Sequence, residues 1–332
     1  MKRVLCAVLI LLFLASFLIL VPSGTLADTV AITIDKDPEL GPCESCYIYE
    51  EGNPDPVGYE DPTLSIHLTR GVFGTTSWVA ARVKVASLYQ FRSIFSGKFG
   101  SEYANVAMTL AKKVNAVFAV NGDYYTGKSG NGFVLRQGRQ YRNACKNRWY
   151  DVMVIDYNGD MHILQSPDNN EMKALIASLE EKDLKVPEDV SSESALSKLN
   201  RRVYQGFTFG PGLIIDGVQQ KGFTDKKMGS EVLAQRMAIA QVGPLEYLFI
   251  ASSGPDDKKV DGSTGLTLDE FSDLVASFDG IINAYNLDGG SSSTMVFRTA
   301  EKKFAKINAT PASKTRPIVD VIYFASAWQP EE

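Results

Sequence analysis

After an apolar run from Val4 to Val21, the chain settles into short apolar stretches separated by Gly, Pro, Asn and Asp. Trp78 to Leu88 alternates apolar and polar residues, the period of a half-buried strand. Ala116 to Val120 is a short buried-strand run. Val152–Ile155 and Met161–Leu164 flank Asn158-Gly159, which predicts a hairpin. Ile214 and Ile215 run into an Asp216-Gly217 turn, and Arg236–Val242 with Tyr247–Ala251 predict a second hairpin around Gly243-Pro244. Ile281–Leu287, Thr294–Phe297 and Ile318–Phe324 add three more strands.

Helical patterns are fewer. Ser101 predicts a cap for a helix reaching Lys113, with Ala104, Ala107, Met108 and Ala111 on one face. Thr267-Leu268-Asp269-Glu270 is a capping box, followed by Phe271, Leu274, Val275 and Phe278 at helical spacing. Glu171 to Leu196 is charged and loosely helical, and reads as a surface insertion within residues 166–205. Strands outnumber helices and hairpins dominate. The expected class is α+β, a single large domain with a mixed or antiparallel sheet and flanking helices.

Lys2 and Arg3 precede the first apolar run, and Pro22-Ser23-Gly24 followed by Thr25-Leu26-Ala27 ends it. Residues 1–27 therefore read as a secretory signal cut near Ala27, or as a membrane anchor through residues 4–21. Either places the body outside the cytoplasm. Residues 28–62 hold Pro38, Pro42, Pro54, Pro56 and Pro62 among Gly, Asp and Glu, and read as a linker with poor core potential. Residues 63–332 suffice for one large core.

Of 332 residues, 45% are hydrophobic and 22% charged, which excludes a disordered chain. The net charge of −5 lacks the basic excess of a nucleic-acid binder. The two histidines, His67 and His162, have no zinc-ligand spacing. Cys6 lies in the first apolar run. In an exported chain Cys43 and Cys46 fit a tight disulfide, or one of them a bridge to Cys145; their Pro- and Tyr-rich flanks do not fit a redox motif.

The sharpest candidate for chemistry is Asp288-Gly289-Gly290-Ser291-Ser292-Ser293, at the end of an apolar strand. Two glycines allow a tight turn, consecutive amides in such a turn can cradle an anion, and three hydroxyls add donors. Burial of Asp288 would raise its pKa. Read blandly, the same residues make a hairpin loop. Asn121-Gly122-Asp123-Tyr124-Tyr125 also follows a short apolar strand, offering an amide, a carboxylate and rings suited to sugar faces, or a plain turn. Two carboxylates at strand ends would meet the minimum for glycoside cleavage. Arg236 and Arg316 stand at strand mouths, where a planar guanidinium can clamp phosphate, while Arg136 and Arg139 flank a Gln137-Gly138 turn. Neither a G-x-S-x-G elbow nor a P-loop occurs.

Five stretches taken together resemble the phosphodiester glycosidase family: Ala119 to Tyr125, Gln235 to Ala240, Gly265 to Leu268, Asn286 to Ser293, and Arg316 to Val319. They occur in the family's order, and the likeness spans most of the body. It implies removal of a sugar from a sugar-1-phosphodiester, giving free sugar and a phosphomonoester. The implied site has Asp288, Arg236 and Arg316 as catalytic residues, with Asn121, Gly289, Gly290, Ser291, Ser292 and Ser293 holding substrate. Gly122, Asp123 and Tyr124 join as substrate contacts on the reading of the residues themselves. No cofactor or metal is expected, and the partner is a phosphorylated glycan or sugar-1-phosphodiester. Many family members carry glycine where this chain has Asp123, and Phe-Phe where it has Tyr124-Tyr125. Asp123 is then not the family's obligatory acid, and Asp288 is the stronger candidate. Two readings remain beside this one. One is a membrane-tethered binder of anionic glycans without catalysis. The other is a metal-assisted phosphodiesterase on Asp123, Asp288 and Asn121, which the lack of a dense acidic cluster disfavours.

Overall fold

Turn residues divide the body into strands, and every strand finds antiparallel neighbours. The computed structural model describes residues 42–100, 105–124, 132–145, 150–180, 182, 202–224, 229–299, 303–308 and 315–328. Among these, nineteen strands form three sheets and four α-helices flank them. The large sheet runs, in spatial order, Tyr47–Ile48, Gly58–Glu60, Leu64–Phe73, Thr76–Val85, Glu246–Ser252, Arg236–Gly243, Asn283–Leu287, Gly212–Ile215 and Val218–Gln219. A second, five-stranded sheet runs Met161–Leu164, Asp151–Asp156, Val203–Phe209, Gly132–Arg136 and Arg139–Ala144. A third runs Phe304–Lys306, Met295–Arg298, Phe118–Asn121, Asp320–Phe324 and Phe91–Phe95. The class is the expected α+β, with antiparallel pairing throughout.

The main core lies where the three sheets meet. Phe118 and Phe324 from the third sheet pack on Phe249 from the large one, and Phe91 packs edge-on against Tyr247. The Tyr247 hydroxyl, sealed in this core, donates to Gly159 O at 2.8 Å in the hairpin turn of the second sheet. The helix Leu268–Ala276 covers the opposite face of the large sheet. Its capping box closes as the sequence predicts: Thr267 Oγ1 accepts from the Glu270 amide and Glu270 Oε2 from the Thr267 amide. Phe271, Leu274 and Val275 are buried against Leu213 and against Ala238, Ala240 and Ala284, whose small side chains let the helix approach. Each large side chain so buried contributes roughly 1.5–3 kcal/mol, and Phe271→Ala would cost about 3–5 kcal/mol with its cavity.

Four features differ from the sequence reading. The first helix begins at Ala107, with Val106 as its uncapped first residue, because Asn105 is held in a bridge to Ile318. Ser101 and Ala104 lie outside the described residues. The proline-rich stretch is not all linker. Tyr47–Ile48 and Gly58–Glu60 pair into the large sheet's edge, and Tyr47 and Tyr59 enter the main core. There the Asp61 carboxylate accepts from the Tyr59 hydroxyl, the Thr63 amide and hydroxyl, the Leu64 amide and, far along the chain, the Ser326 hydroxyl. In the 166–205 segment, Asn169–Glu180 is a helix, but Val203 already opens the middle strand of the second sheet. Cys43, Cys46 and Cys145 are free thiols; Cys145 packs in a separate cluster with Met172, whereas Cys46 packs against the main core. The apolar run from Val4 to Val21 lies outside the described residues. None of the described helices is long and apolar enough to cross a membrane.

Candidate active site

Asn121 ends the central strand of the third sheet, across from Val321. Leu287 ends the Asn283–Leu287 strand of the large sheet, across from Met237. The two sheets thus deliver the Asn121 and Asp288 segments to one place. Asn121 joins them through its side chain: Nδ2 donates to Asp288 O at 2.7 Å and Oδ1 accepts from the Thr294 amide at 3.0 Å. Asn308 repeats the bracket one residue further on, accepting from the Met295 amide and donating to Ser293 O. The 288–294 loop is therefore pinned by two buried amide side chains. Within it, Gly290 takes the left-handed φ of 58° and starts a single 3₁₀ turn to Ser292. A Cβ on Gly289 would lie 2.8 Å from Gln235 O, so only glycine allows this approach.

Asp288 is 7% exposed, and its carboxylate is held from outside. Arg316 Nη2 lies 3.0 Å from Oδ2 and 3.4 Å from Oδ1, while Arg316 Nε donates to Ser292 Oγ at 2.5 Å. The Arg316 amide also donates to Ser291 O. Burial pushes the Asp288 carboxyl above the ordinary range, against the opposing pull of the Ser292 hydroxyl and the Arg316 cation. Arg316 itself remains 44% exposed along its side chain, with its guanidinium 5.9 Å from the centre of the Tyr124 ring. The group therefore has one flank on Asp288 and an aromatic face nearby, and is still open to an anion.

Arg236 is arranged differently. Its Nε donates to Leu266 O, and its Nη2 to Gly229 O and Val232 O. Burial lowers its pKa to about 10. The guanidinium expected to clamp phosphate is thus committed to three carbonyls, although the residue's backbone supports the site, as Ser293 Oγ donates to Arg236 O. The anion cradle expected from the loop's amides is also mostly closed. The amides of Asp288, Gly290, Ser292 and Ser293 donate to Gly122 O, Gln235 O, Gly289 O and Gly290 O.

Asp123 sits behind the site, 2% exposed. Its Oδ2 accepts from Arg136 Nη2 and from the Thr208 amide, both at 3.0 Å. The same Arg136 reaches Asp320 Oδ2 through Nε at 3.0 Å and Nη2 at 2.6 Å. Its guanidinium also lies 3.8 Å from the centre of the Phe207 ring. Gly122 lies between the two assemblies, donating its amide to Asp320 O and accepting from the Asp288 amide. The sequence reading had Arg136 as a turn-flanking charge and did not single out Asp320. A signal for Asp320 was present: it is the one charged residue in the apolar run Ile318–Phe324, where an unpaired charge would be costly. Among the described residues, no group of three His, Cys, Asp or Glu side chains could hold a metal ion.

The family model for phosphodiester glycosidases matches residues 114–325, which include every residue of this site. The fold is similar to that of the zebrafish N-acetylglucosamine-1-phosphodiester alpha-N-acetylglucosaminidase catalytic domain, auto-inhibited by its pro-peptide. That similarity has a TM-score of 0.55 at 14% identity, over 85% of this chain and 87% of that one. A hypothetical protein from Synechocystis matches with a TM-score of 0.51 at 13% identity, over 82% of this chain and 64% of that one. No curated protein sequence matches the chain.

Proposed function

Because the chain belongs to the phosphodiester glycosidase family, we propose that it is an exported hydrolase that releases a sugar from a glycosyl-1-phosphodiester of an envelope or extracellular glycan. The observation that carries this reading is the meeting of Asp288, Ser292 and Arg316 in one hydrogen-bonded set, with Arg316 still half open. In the reaction, the bond between the anomeric carbon and the phosphate oxygen breaks, and that oxygen leaves with the electron pair. Water supplies a hydroxyl to the anomeric carbon, and its remaining proton is released to a base. The products are a free sugar and a phosphomonoester.

The open flank of Arg316 neutralises the phosphate as charge builds on its leaving oxygen. Asp288, made more basic by burial, orients the attacking water and takes its proton, or faces the positive charge developing at the anomeric carbon. Tyr124 offers its ring to the sugar. Arg236, turned onto carbonyls, adds its field from behind the loop. A phosphate is already a good leaving group, so positioning and electrostatics supply most of the acceleration. Export rests on the basic start and apolar run of residues 1–27.

The test is the purified body with a sugar-1-phosphodiester, assaying reducing sugar and phosphomonoester together. Turnover by the wild type, reduced roughly 100-fold or more in Asp288→Asn, is expected. Binding without product would leave the anionic-glycan binder as the function, and full activity in Asp288→Asn would remove the assigned role.

A further inference from the structure

Behind the site two carboxylates lean on one guanidinium in a space closed to water. The Oδ2 atoms of Asp123 and Asp320 both contact Arg136 Nη2, and all three side chains are at most 3% exposed. Their other oxygens, Asp123 Oδ1 and Asp320 Oδ1, are buried without any hydrogen-bond partner. Two ionised carboxylates on one cation would leave a net negative charge sealed in the protein and two bare anionic oxygens with it. Burial penalises both strongly. A proton on one of the two acids removes the excess charge and turns one bare oxygen into a donor.

The backbones of Asp320 and Asp288 are joined through one residue. Gly122 is bonded to Asp320 by its amide and to Asp288 by its carbonyl. A Cβ at Gly122 would lie 2.1 Å from Asp320 Oδ1, so that bare oxygen faces the Gly122 backbone directly. We propose that Asp320 holds a proton where it meets Asp123 over Arg136, and that the two acids act as positioning residues that set the place and the charge environment of Asp288. Where it concerns the reaction, the proposal rests on the hydrolytic function assigned above.

The groups facing the pair are few. Arg136 and Phe207 come from the second sheet, and Asp288 with its partner Arg316 lies across Gly122. Tyr285 lies within electrostatic reach of Asp123 and Arg136, its hydroxyl donating to Asp151 O. Burial pushes Asp320 up to about 7, opposed by Arg136, reinforced by the Asp123 carboxylate and opposed again by the Asp123 backbone amide. Asp123 also adds to the upward push on Asp288. Folded Asp320 therefore keeps a proton that the unfolded chain gives up near the ordinary 3.8. Its contribution to stability is full below that value and is lost as pH rises through about 7. In the same window a negative charge appears behind Asp288, raising its proton affinity and repelling phosphate.

Two measurements test this, and the first needs no substrate. In wild-type protein with ¹³Cγ-labelled aspartate, one carboxyl resonance should titrate between pH 6 and 8. It should be absent from Asp320→Asn and displaced in Asp123→Asn; if either variant does not fold, the other carries the test. No carboxyl titrating in that range, or an unchanged titration in the folded variant, would overturn the proton on Asp320. The second is the pH profile of kcat/KM on a sugar-1-phosphodiester. The wild-type profile should fall on its alkaline side with the midpoint seen by NMR, and that limb should vanish in Asp320→Asn whatever its maximal rate. A limb unchanged in Asp320→Asn would overturn the link to Asp288. The NMR signal without any turnover would instead uphold the pair and defeat the assigned reaction.

Discussion

Two arginine–aspartate assemblies lie on either side of Gly122, and they differ in what surrounds them. Arg316 meets Asp288 with its side chain nearly half exposed, whereas Arg136 meets Asp123 and Asp320 with all three side chains buried. In the first, Coulomb attraction is screened and the cation remains free to exchange one partner for another. In the second, each charge depends on the others, because removing one leaves the rest unpaired in a low dielectric. The same pair of residue types is thus screened and exchangeable in one place and interdependent in the other, and exposure decides between them.

Breaking the buried assembly should give the largest effect. Arg136→Met leaves the buried acid pair without its cation and should cost about 3–5 kcal/mol in a denaturant titration. Arg316→Ala should do the opposite, lowering kcat/KM by roughly 10²–10³-fold while changing stability by under about 1 kcal/mol. Comparable stability losses in these two variants would erase the distinction between the assemblies. Gly122→Ala strikes the residue between them. Its methyl meets the Asp320 carboxylate, so a loss of about 1–3 kcal/mol is expected, with activity falling as Asp288 shifts. Thr267→Ala, remote from both, removes a helix cap and should cost about 1 kcal/mol by thermal melting without changing kcat. A change in kcat there would mean that the site responds to stability lost anywhere in the fold.

Much of this arrangement could be read from the residues. The capping box at Thr267, the hairpin at Asn158-Gly159 and the Asp288 loop are local signals, and their geometry is fixed within a few positions. Asn121 and Arg316 were legible as members of a motif set, and they do meet at the loop. The depth of Arg136 was not legible, because a residue beside a Gln-Gly turn carries no local sign that another sheet's aspartate will reach it. The capture of Arg236 by Gly229, Val232 and Leu266 was hidden for a similar reason: carbonyls have no sequence signature. Tyr47–Ile48 and Gly58–Glu60 escaped notice because strands of two and three residues are too short to show alternation. Only Asp320 left a usable trace, a lone acid in an apolar strand.

The bond between Asp61 and Ser326 bears on how the molecule comes into being. It joins the outer edge of the large sheet to nearly the last described residue, and the residues around Asp288 come from segments almost as widely spread. Such a topology has high contact order, so little of its native energy is available until distant segments have found each other, and folding is correspondingly slow. A chain still emerging from synthesis would hold helices and hairpins but neither a finished edge nor a working centre, and both would arrive together in the closing step.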